Sequence, residues 1–290
     1  MKRRIFAALL LGLLGAIALG ATHFIALLQR VQRAQLERAL PQVEYLQGPR
    51  GRIYRAIGGQ GPTMVLLHGF GDQAGGWSQV AGPLSERWRV VAIDLAGHGL
   101  SEPSTPPLAM ADLMTSVEIA TKDLGDDLTF VGNSLGGWVS LRFALEHPER
   151  VKQLLLVNSA GMPHKVDKAV LLPWTRERVL ERNQAVFGEH TPPNPGFVAD
   201  QLITLAKDPR LEDLWTNLGS EPRIDGALPK LRTPTALIWG TPDPILPESY
   251  AEELRAALDA PEPTWLSGCG HGPQYSCPDR LVQAIEALAL

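Results

Sequence analysis

Cysteine is scarce, aromatics are few, and neither charge dominates. The two cysteines, Cys269 and Cys277, cannot build the disulfide scaffold of a small secreted domain. Two free thiols are the simpler reading, and one small disulfide loop in an oxidising compartment is the alternative. The 27 Lys and Arg against 31 Asp and Glu leave a net charge of −4, with the basic residues spread along the chain. That excludes the basic footprint of a nucleic-acid binder and gives acidic substrates no steering field. There is no HExxH, CxxC or EF-hand loop, so no metal is expected. No GxGxxG follows a strand, so no dinucleotide cofactor is expected either.

Only one apolar run is long. Residues 5–28 carry no Asp, Glu, Lys or Arg and follow Lys2, Arg3 and Arg4. At about 1.5 Å per residue such a run spans a bilayer as a helix. A cleaved signal peptide would share the basic start, and Ala18-Leu19-Gly20 is an acceptable cleavage site. The run continues past that site through Phe24, Ile25, Leu27 and Leu28, which favours an uncleaved single-pass anchor. Arg30, Arg33 and Arg38 follow it, so the positive charges nearly balance across the span. The charge directly at the amino end favours a cytoplasmic N-terminus and a catalytic part on the extracytoplasmic, periplasmic side. A polar helical continuation is expected over 29–39, ended by Pro41. The division is thus 1–41, anchor and juxtamembrane helix, and 42–290, one catalytic domain. Nothing in the sequence speaks to the oligomeric state.

Within the domain, short apolar runs alternate with helical patterns. An edge strand is expected at 52–57, and further strands at 63–67 (TMVLL), 89–93 (RVVAI), 128–131 (LTFV), 151–157 (VKQLLLV), 235–239 (TALIW) and 263–266. Helices are expected near 77–86, 111–124, 135–146, 249–258 and 278–290. This rhythm predicts an α/β fold with a mostly parallel, doubly wound sheet. Residues 163–229 interrupt it with helical patches, prolines and Trp174, Phe187, Phe197 and Trp215 but no strand-like run. Such an insert, leaving a strand carboxyl end, reads as a helical cap.

The chemistry concentrates at strand carboxyl ends. Gly132-Asn133-Ser134-Leu135-Gly136-Gly137 lies between a strand and a helix, the context of a nucleophile elbow. Glycines two residues either side relieve clashes in the tight turn and lift Ser134 to the top of the sheet. A serine hydroxyl needs a base. With partners in the order Ser, acid, His, the candidates are His147, His164, His190 and His271. Only His271 sits in a glycine-rich loop directly after the last strand, in SGCGHG. Asp243, in WGTPDPILP, follows a buried strand, whereas Asp225, Glu248, Glu252, Glu253 and Asp259 fall on the insert or on solvated helix faces. The alternative acid position, after the preceding strand, holds Asn158, which is no carboxylate. Asp243 would fix the imidazole tautomer and stabilise the imidazolium. The amides of Leu135 and Phe70 would form the oxyanion hole. His68, Asp94 and His98 precede Ser134 and read as structural.

The motifs HGFG, DLAGHGLS, GNSLGG, WGTPDPILP and GCGHGPQ together resemble the α/β-hydrolase superfamily. The resemblance implies an eight-stranded sheet, helices on both faces, and Ser134, Asp243 and His271 as nucleophile, acid and base. With the N-terminal run and LVNSAGM after the elbow helix, the chain looks like the membrane-anchored monoacylglycerol lipases and related bacterial lipases. The elbow and the CGHGPQ loop are also similar to carbon–carbon bond hydrolases acting on ring-fission products. Dehalogenases and epoxide hydrolases of this fold carry Asp where this chain has Ser134. The expected activity is carboxylic ester hydrolysis on a lipid-like or medium-chain substrate, with C–C hydrolysis as the alternative. A non-catalytic, membrane-tethered binding protein is the reading from another class, and the intact Ser, Asp and His count against it.

Overall fold

In the computed structural model the described residues are 23–193 and 196–290. Most of the expected anchor, residues 1–22, lies outside them. Among the described residues no helix is long and apolar enough to cross a membrane.

The domain is a single eight-stranded sheet: β1 (Gln42–Gly48), β2 (Gly51–Gly58), β3 (Thr63–Leu67), β4 (Arg89–Ile93), β5 (Leu128–Asn133), β6 (Val151–Val157), β7 (Thr235–Thr241) and β8 (Thr264–Ser267). Their spatial order is β1-β2-β4-β3-β5-β6-β7-β8. The pairs β1–β2 and β2–β4 are antiparallel and the others parallel. Strands β3 to β7 coincide with the apolar runs because both of their faces are covered. β1 left no such signal. Its sequence, QVEYLQG, is polar, and its residues are exposed or half-buried at the sheet edge.

The helices are α1 (Phe24–Ala39), α2 (Ser78–Ser85), α3 (Met110–Thr121), α4 (Leu135–Glu146), α5 (Lys168–Leu171), α6 (Arg176–Phe187), α7 (Gly196–Leu205), α8 (Pro209–Gly219), α9 (Glu248–Leu258), α10 (Pro273–Ser276) and α11 (Pro278–Leu288). Successive strand residues point to opposite faces and so build two cores. Val65, Leu67, Val91 and Ile93 pack with side chains of α3, α4 and α9. Met64, Leu66, Val90 and Ala92 pack on the other face with α1, α2 and α11. Between β6 and β7 the chain runs through α5 to α8, and no strand occurs among the described residues of that insert.

Helix α1 begins inside the apolar run, at Phe24, and is packed onto the domain. Leu36 and, just beyond the helix, Leu40 are fully buried among Tyr54, Trp77, Val80 and Ala81. Phe24, Leu27, Leu28 and Val31 on its first turns stay exposed. Leu36→Ala in the detergent-solubilised chain should therefore cost about 2–5 kcal/mol, the range for emptying a packed leucine site. Chemical denaturation checks this; a surface tether would lose less than about 0.5 kcal/mol.

Candidate active site

Strand β5 delivers Ser134 into a bend that ordinary residues avoid. Its backbone sits at φ 54° and ψ −117°, a strained region that persists only where the surroundings enforce it. The enforcement is steric. A Cβ at Gly132 would lie 2.5 Å from the Gly136 carbonyl oxygen, and one at Gly136 would collide with the Leu67 carbonyl oxygen. Helix α4 starts at Leu135, so its amide is one of the first four of the helix, which have no intrahelical acceptor. Gly69, opening the loop after β3 and His68, is so close that a Cβ there would lie 3.2 Å from Ser134 Cβ. The loop carrying Phe70 therefore crosses directly over the serine, and the Phe70 ring packs edge-on against Trp215 of α8.

The loop after β8 brings His271 to the same place. Its Nδ1–H donates to Asp243 Oδ2 at 2.6 Å, and both residues are buried. The rest of the carboxylate is satisfied too. Oδ2 also accepts from Asn158 Nδ2 at 2.8 Å, and Oδ1 accepts the Ile245 and Leu246 amides at 2.9 and 3.0 Å. A carboxylate accepting from every side cannot swing away, so the Nδ1–H tautomer and the ring plane are fixed. Nε2 is buried and has no hydrogen-bond partner. The link to Ser134 Oγ is thus unmade in the resting structure, as happens in free enzymes whose catalytic contacts close around substrate. Ser134 and His271 line one cavity of about 740 Å³.

Further residues hold this arrangement, and the sequence marked them faintly or not at all. Asn158 adopts a positive φ of 41° and grips β7, with Oδ1 accepting the Gly240 amide at 2.8 Å and Nδ2 reaching the Gly240 carbonyl at 3.0 Å. Its place as the vacant acid position was legible; its grip on Asp243 was not. Asn133 Nδ2 donates to the His271 carbonyl at 3.1 Å, and Gln274 Nε2 donates to Asn133 Oδ1 at 3.1 Å. The last carbonyls of α6, Ala185 and Val186, accept the His271 and Gly272 amides, each at 2.8 Å. Open carbonyls at a helix end are thereby used to seat the histidine loop.

The expectation of two free thiols is overturned. Cys269 and Cys277 form a disulfide that encloses His271, with Cα atoms 5.7 Å apart. Helix α10 turns the chain back on itself, the Cys277 amide donating to the Pro273 carbonyl and Ser276 Oγ to the Cys269 carbonyl. That turn, invisible in a bare count of thiols, brings the two sulfurs together.

His68, Asp94 and His98 take the structural parts read from their position. His68 Nδ1–H donates to the Gly69 carbonyl at 2.8 Å, and its Nε2 accepts the Leu95 amide at 3.0 Å. Burial lowers His68 to about 4 and His98 to about 3. Asp72, half-buried in the cavity wall, is pushed up to about 6 by desolvation, although the Tyr275 hydroxyl donates to it at 2.5 Å. Among the described residues, Arg182 is the only Arg or Lys lining the cavity; burial lowers its guanidinium while Tyr275 and Asp72 oppose the shift. Arg176 and Arg178 pair instead with Asp200 and Glu181 on the surface. The described residues contain one grouping with metal-ligand spacing, Glu118, Glu146 and His147, and it is remote from this cavity's lining.

These shifts set a pH dependence. The unfolded chain takes up protons on both histidines below about 6.5, while the fold keeps them neutral down to about 4 and about 3. Their stabilisation is complete above pH 6.5 and is lost as pH falls, at up to about 1.4 kcal/mol per pH unit each. Asp72 acts in the opposite sense, because a carboxyl raised to about 6 favours the fold as pH drops. The unfolding free energy should decline from pH 6.5 to 4, and Asp72→Asn should steepen that decline. Urea titrations at half-unit pH steps check both slopes.

Comparison with known proteins places the chain. A model of the alpha/beta hydrolase family matches residues 64–284. A pimeloyl-[acyl-carrier protein] methyl ester esterase of Nitrosomonas europaea is 31% identical over 253 residues, covering 79% of this chain and 96% of that protein. Among solved structures, a membrane phospholipase A described as a bacterial virulence factor superposes with a TM-score of 0.78 at 28% identity, covering 99% of this chain and 98% of that one. A 2-hydroxy-6-oxo-6-phenylhexa-2,4-dienoate hydrolase from Rhodococcus sp. gives 0.68 at 25% identity, covering 84% and 99%. With the family pattern spanning β3 to α11, the chain belongs to the alpha/beta hydrolase family, among its esterase- and lipase-type members.

Proposed function

We propose that this protein is a serine carboxylic ester hydrolase acting through an acyl-enzyme, with Ser134 as nucleophile, His271 as general base and acid, and Asp243 as its orienting carboxylate. The observation that carries the reading is the His271–Asp243 pair at 2.6 Å, whose free Nε2 borders the same cavity as the serine on its strained bend. Ser134 Oγ attacks the ester carbonyl while Nε2 takes its proton. The tetrahedral oxyanion is held by the Leu135 and Phe70 amides, and Nε2 returns the proton to the leaving alcohol. Water then repeats the sequence on the acyl-enzyme. The Asp243 carboxylate remains ionised and stabilises the imidazolium. Each oxyanion donor contributes about 10²–10³ in rate.

The cavity supports a lipid-like or medium-chain acyl substrate. Helices α5 and α7 contribute Leu171, Leu172 beyond α5, Val198 and Leu202, and α1 contributes Ile25 and Leu28. Burying a methylene in such surroundings is worth about 0.8 kcal/mol, so acyl length should register in specificity. The helical insert is read as a cap over this cavity, and residues 1–41 as anchor and juxtamembrane helix. The apolar run of 5–28 supports a membrane tether, and the Cys269–Cys277 bond supports an oxidising, extracytoplasmic location. Arg182 on the cavity wall favours a second reading, C–C hydrolysis of a substrate with an acidic group.

A panel of p-nitrophenyl and glycerol esters tests the reading. We expect kcat/KM to rise from two-carbon to medium-length acyl groups, and a preference for charged or very short acids would remove the lipid assignment. Ser134→Ala should abolish fluorophosphonate labelling and lower kcat by about 10⁴-fold or more. Asp243→Asn should lower kcat by about 10⁴-fold with labelling slowed rather than lost. Turnover of a vinylogous diketone in preference to every ester would transfer the case to C–C hydrolysis.

A further inference from the structure

Asp94, at the carboxyl end of β4, has no exposed surface and yet carries a charge that the catalytic steps never use. Its Oδ1 accepts the Ala74 amide at 2.6 Å and its Oδ2 the Leu100 amide at 2.7 Å. Its ion-pair partner comes from helix α1, 61 residues earlier in the chain. Arg33 Nη2, on α1, reaches Oδ2 at 2.7 Å and Oδ1 at 3.0 Å, and the same nitrogen donates to Gln73 Oε1 at 2.5 Å. Gln73 Nε2 in turn reaches back to the Gln29 carbonyl of α1 at 3.5 Å. The helix backbone is pressed close, since a Cβ at Gly75 would lie 3.2 Å from the Arg33 nitrogen. Gln73 and Ala74 end the loop that begins at Gly69 and carries the Phe70 amide over Ser134.

We propose that α1 is a working part of the active site, and that Arg33 is a positioning residue that holds the oxyanion loop through Asp94 and Gln73. The near end of the loop is fixed by β3 and by the His68 hydrogen bonds. The far end is fixed by Asp94, and a fully buried carboxylate keeps its place only while its charge is compensated. Without Arg33 the carboxylate loses its counter-charge and its tie to α1, which loosens its hold on the Ala74 amide. The loop then no longer presents the Phe70 amide at a fixed distance from the developing oxyanion. Loss of one such donor costs about 10²–10³ in rate, so loosening it should cost a sizeable part of that. The helix that continues the apolar run thus sets the turnover number as well as the location of the enzyme.

This inference rests on the ester-hydrolase reading, and the test separates the two. The full-length chain in detergent is assayed with a soluble short-chain p-nitrophenyl ester, active sites being counted by fluorophosphonate titration. Arg33→Met should lower kcat per titrated site by about tenfold or more, with KM changed by less than about twofold. Arg33→Lys, which keeps the charge and one donor group but is a shorter, differently shaped side chain, should recover part of the loss. An unchanged kcat per site in Arg33→Met, whatever its melting temperature, overturns the proposal and leaves the hydrolase reading standing. If that variant does not fold, Gln73→Leu, which spares the Arg33–Asp94 pair, decides: a fall in kcat of about threefold or more supports the role, and an unchanged value overturns it. A wild-type chain that neither labels nor turns over esters would remove both readings together.

Discussion

The arrangement depends on one carboxylate, that of Asp243, held where its side chain has no exposed surface. Asp243 is tolerated there because four donors converge on its two oxygens: the His271 ring, the Asn158 amide group, and the Ile245 and Leu246 backbone. Removing a charged group from water costs several kcal/mol unless its lone pairs are met this completely. The completeness also supplies function. An imidazole bonded to an immobile acceptor has one tautomer and one orientation, so its free nitrogen faces the cavity without further expense of order. Rigidity of the carboxylate and orientation of the imidazole are the same physical fact.

The sheet positions these groups only coarsely; strand ends bring loops to one edge, and the loops must then be tied to one another. Asn133 and Gln274 tie the elbow to the histidine loop, and Tyr275 ties that loop to Asp72 beside the oxyanion strand of chain. The disulfide closes the histidine loop upon itself, and α6 seats it from above. The Asn133, Gln274 and Tyr275 ties join segments separated by more than a hundred residues. A displacement in any of them is shared by Ser134, the His271 ring and the loop that carries Phe70. Helix α6 of the insert is included in this lattice, so a movement of α6 acts on the histidine loop through two backbone hydrogen bonds.

What could be read from the sequence follows from how local each signal is. The parallel strands were legible because burial on both faces leaves unbroken apolar runs, and Ser134 because its bend demands glycine at fixed offsets. Chain order and the ends of strands then singled out Asp243 and His271, which the fold brings together. β1 escaped because an edge strand with two partly wet faces looks like a polar loop. The disulfide escaped because pairing depends on a short helix folding the chain back. Arg33 escaped for a more general reason. A charged residue among Gln29, Arg30, Gln32 and Arg38 reads as the solvated face of a helix, and no periodicity distinguishes the one arginine whose partner lies sixty positions away in a buried loop.

Helix α1 also changes what the apolar run can mean. If it ended in a free linker, the membrane would affect the enzyme only through concentration at a surface. Instead the same helix carries exposed Phe24, Leu27 and Leu28 at its start, contributes Ile25 and Leu28 of those same turns to the cavity wall, and buries Arg33 and Leu36 in the domain further on. Phe24 packs edge-on against Phe197 of α7, and the Ile25 amide donates to Gln201, so the helix touches the insert as well as the sheet. Any occupant of the cavity therefore lies against the helix that continues the apolar run. Apolar residues at the helix start border the cavity, and Arg33 further on reaches Asp94 and Gln73 beside the loop that passes over the serine. Cavity wall, ion pair and core packing through Leu36 are thus consecutive turns of one element, so a change in how that element packs is felt at the cavity and at the loop together.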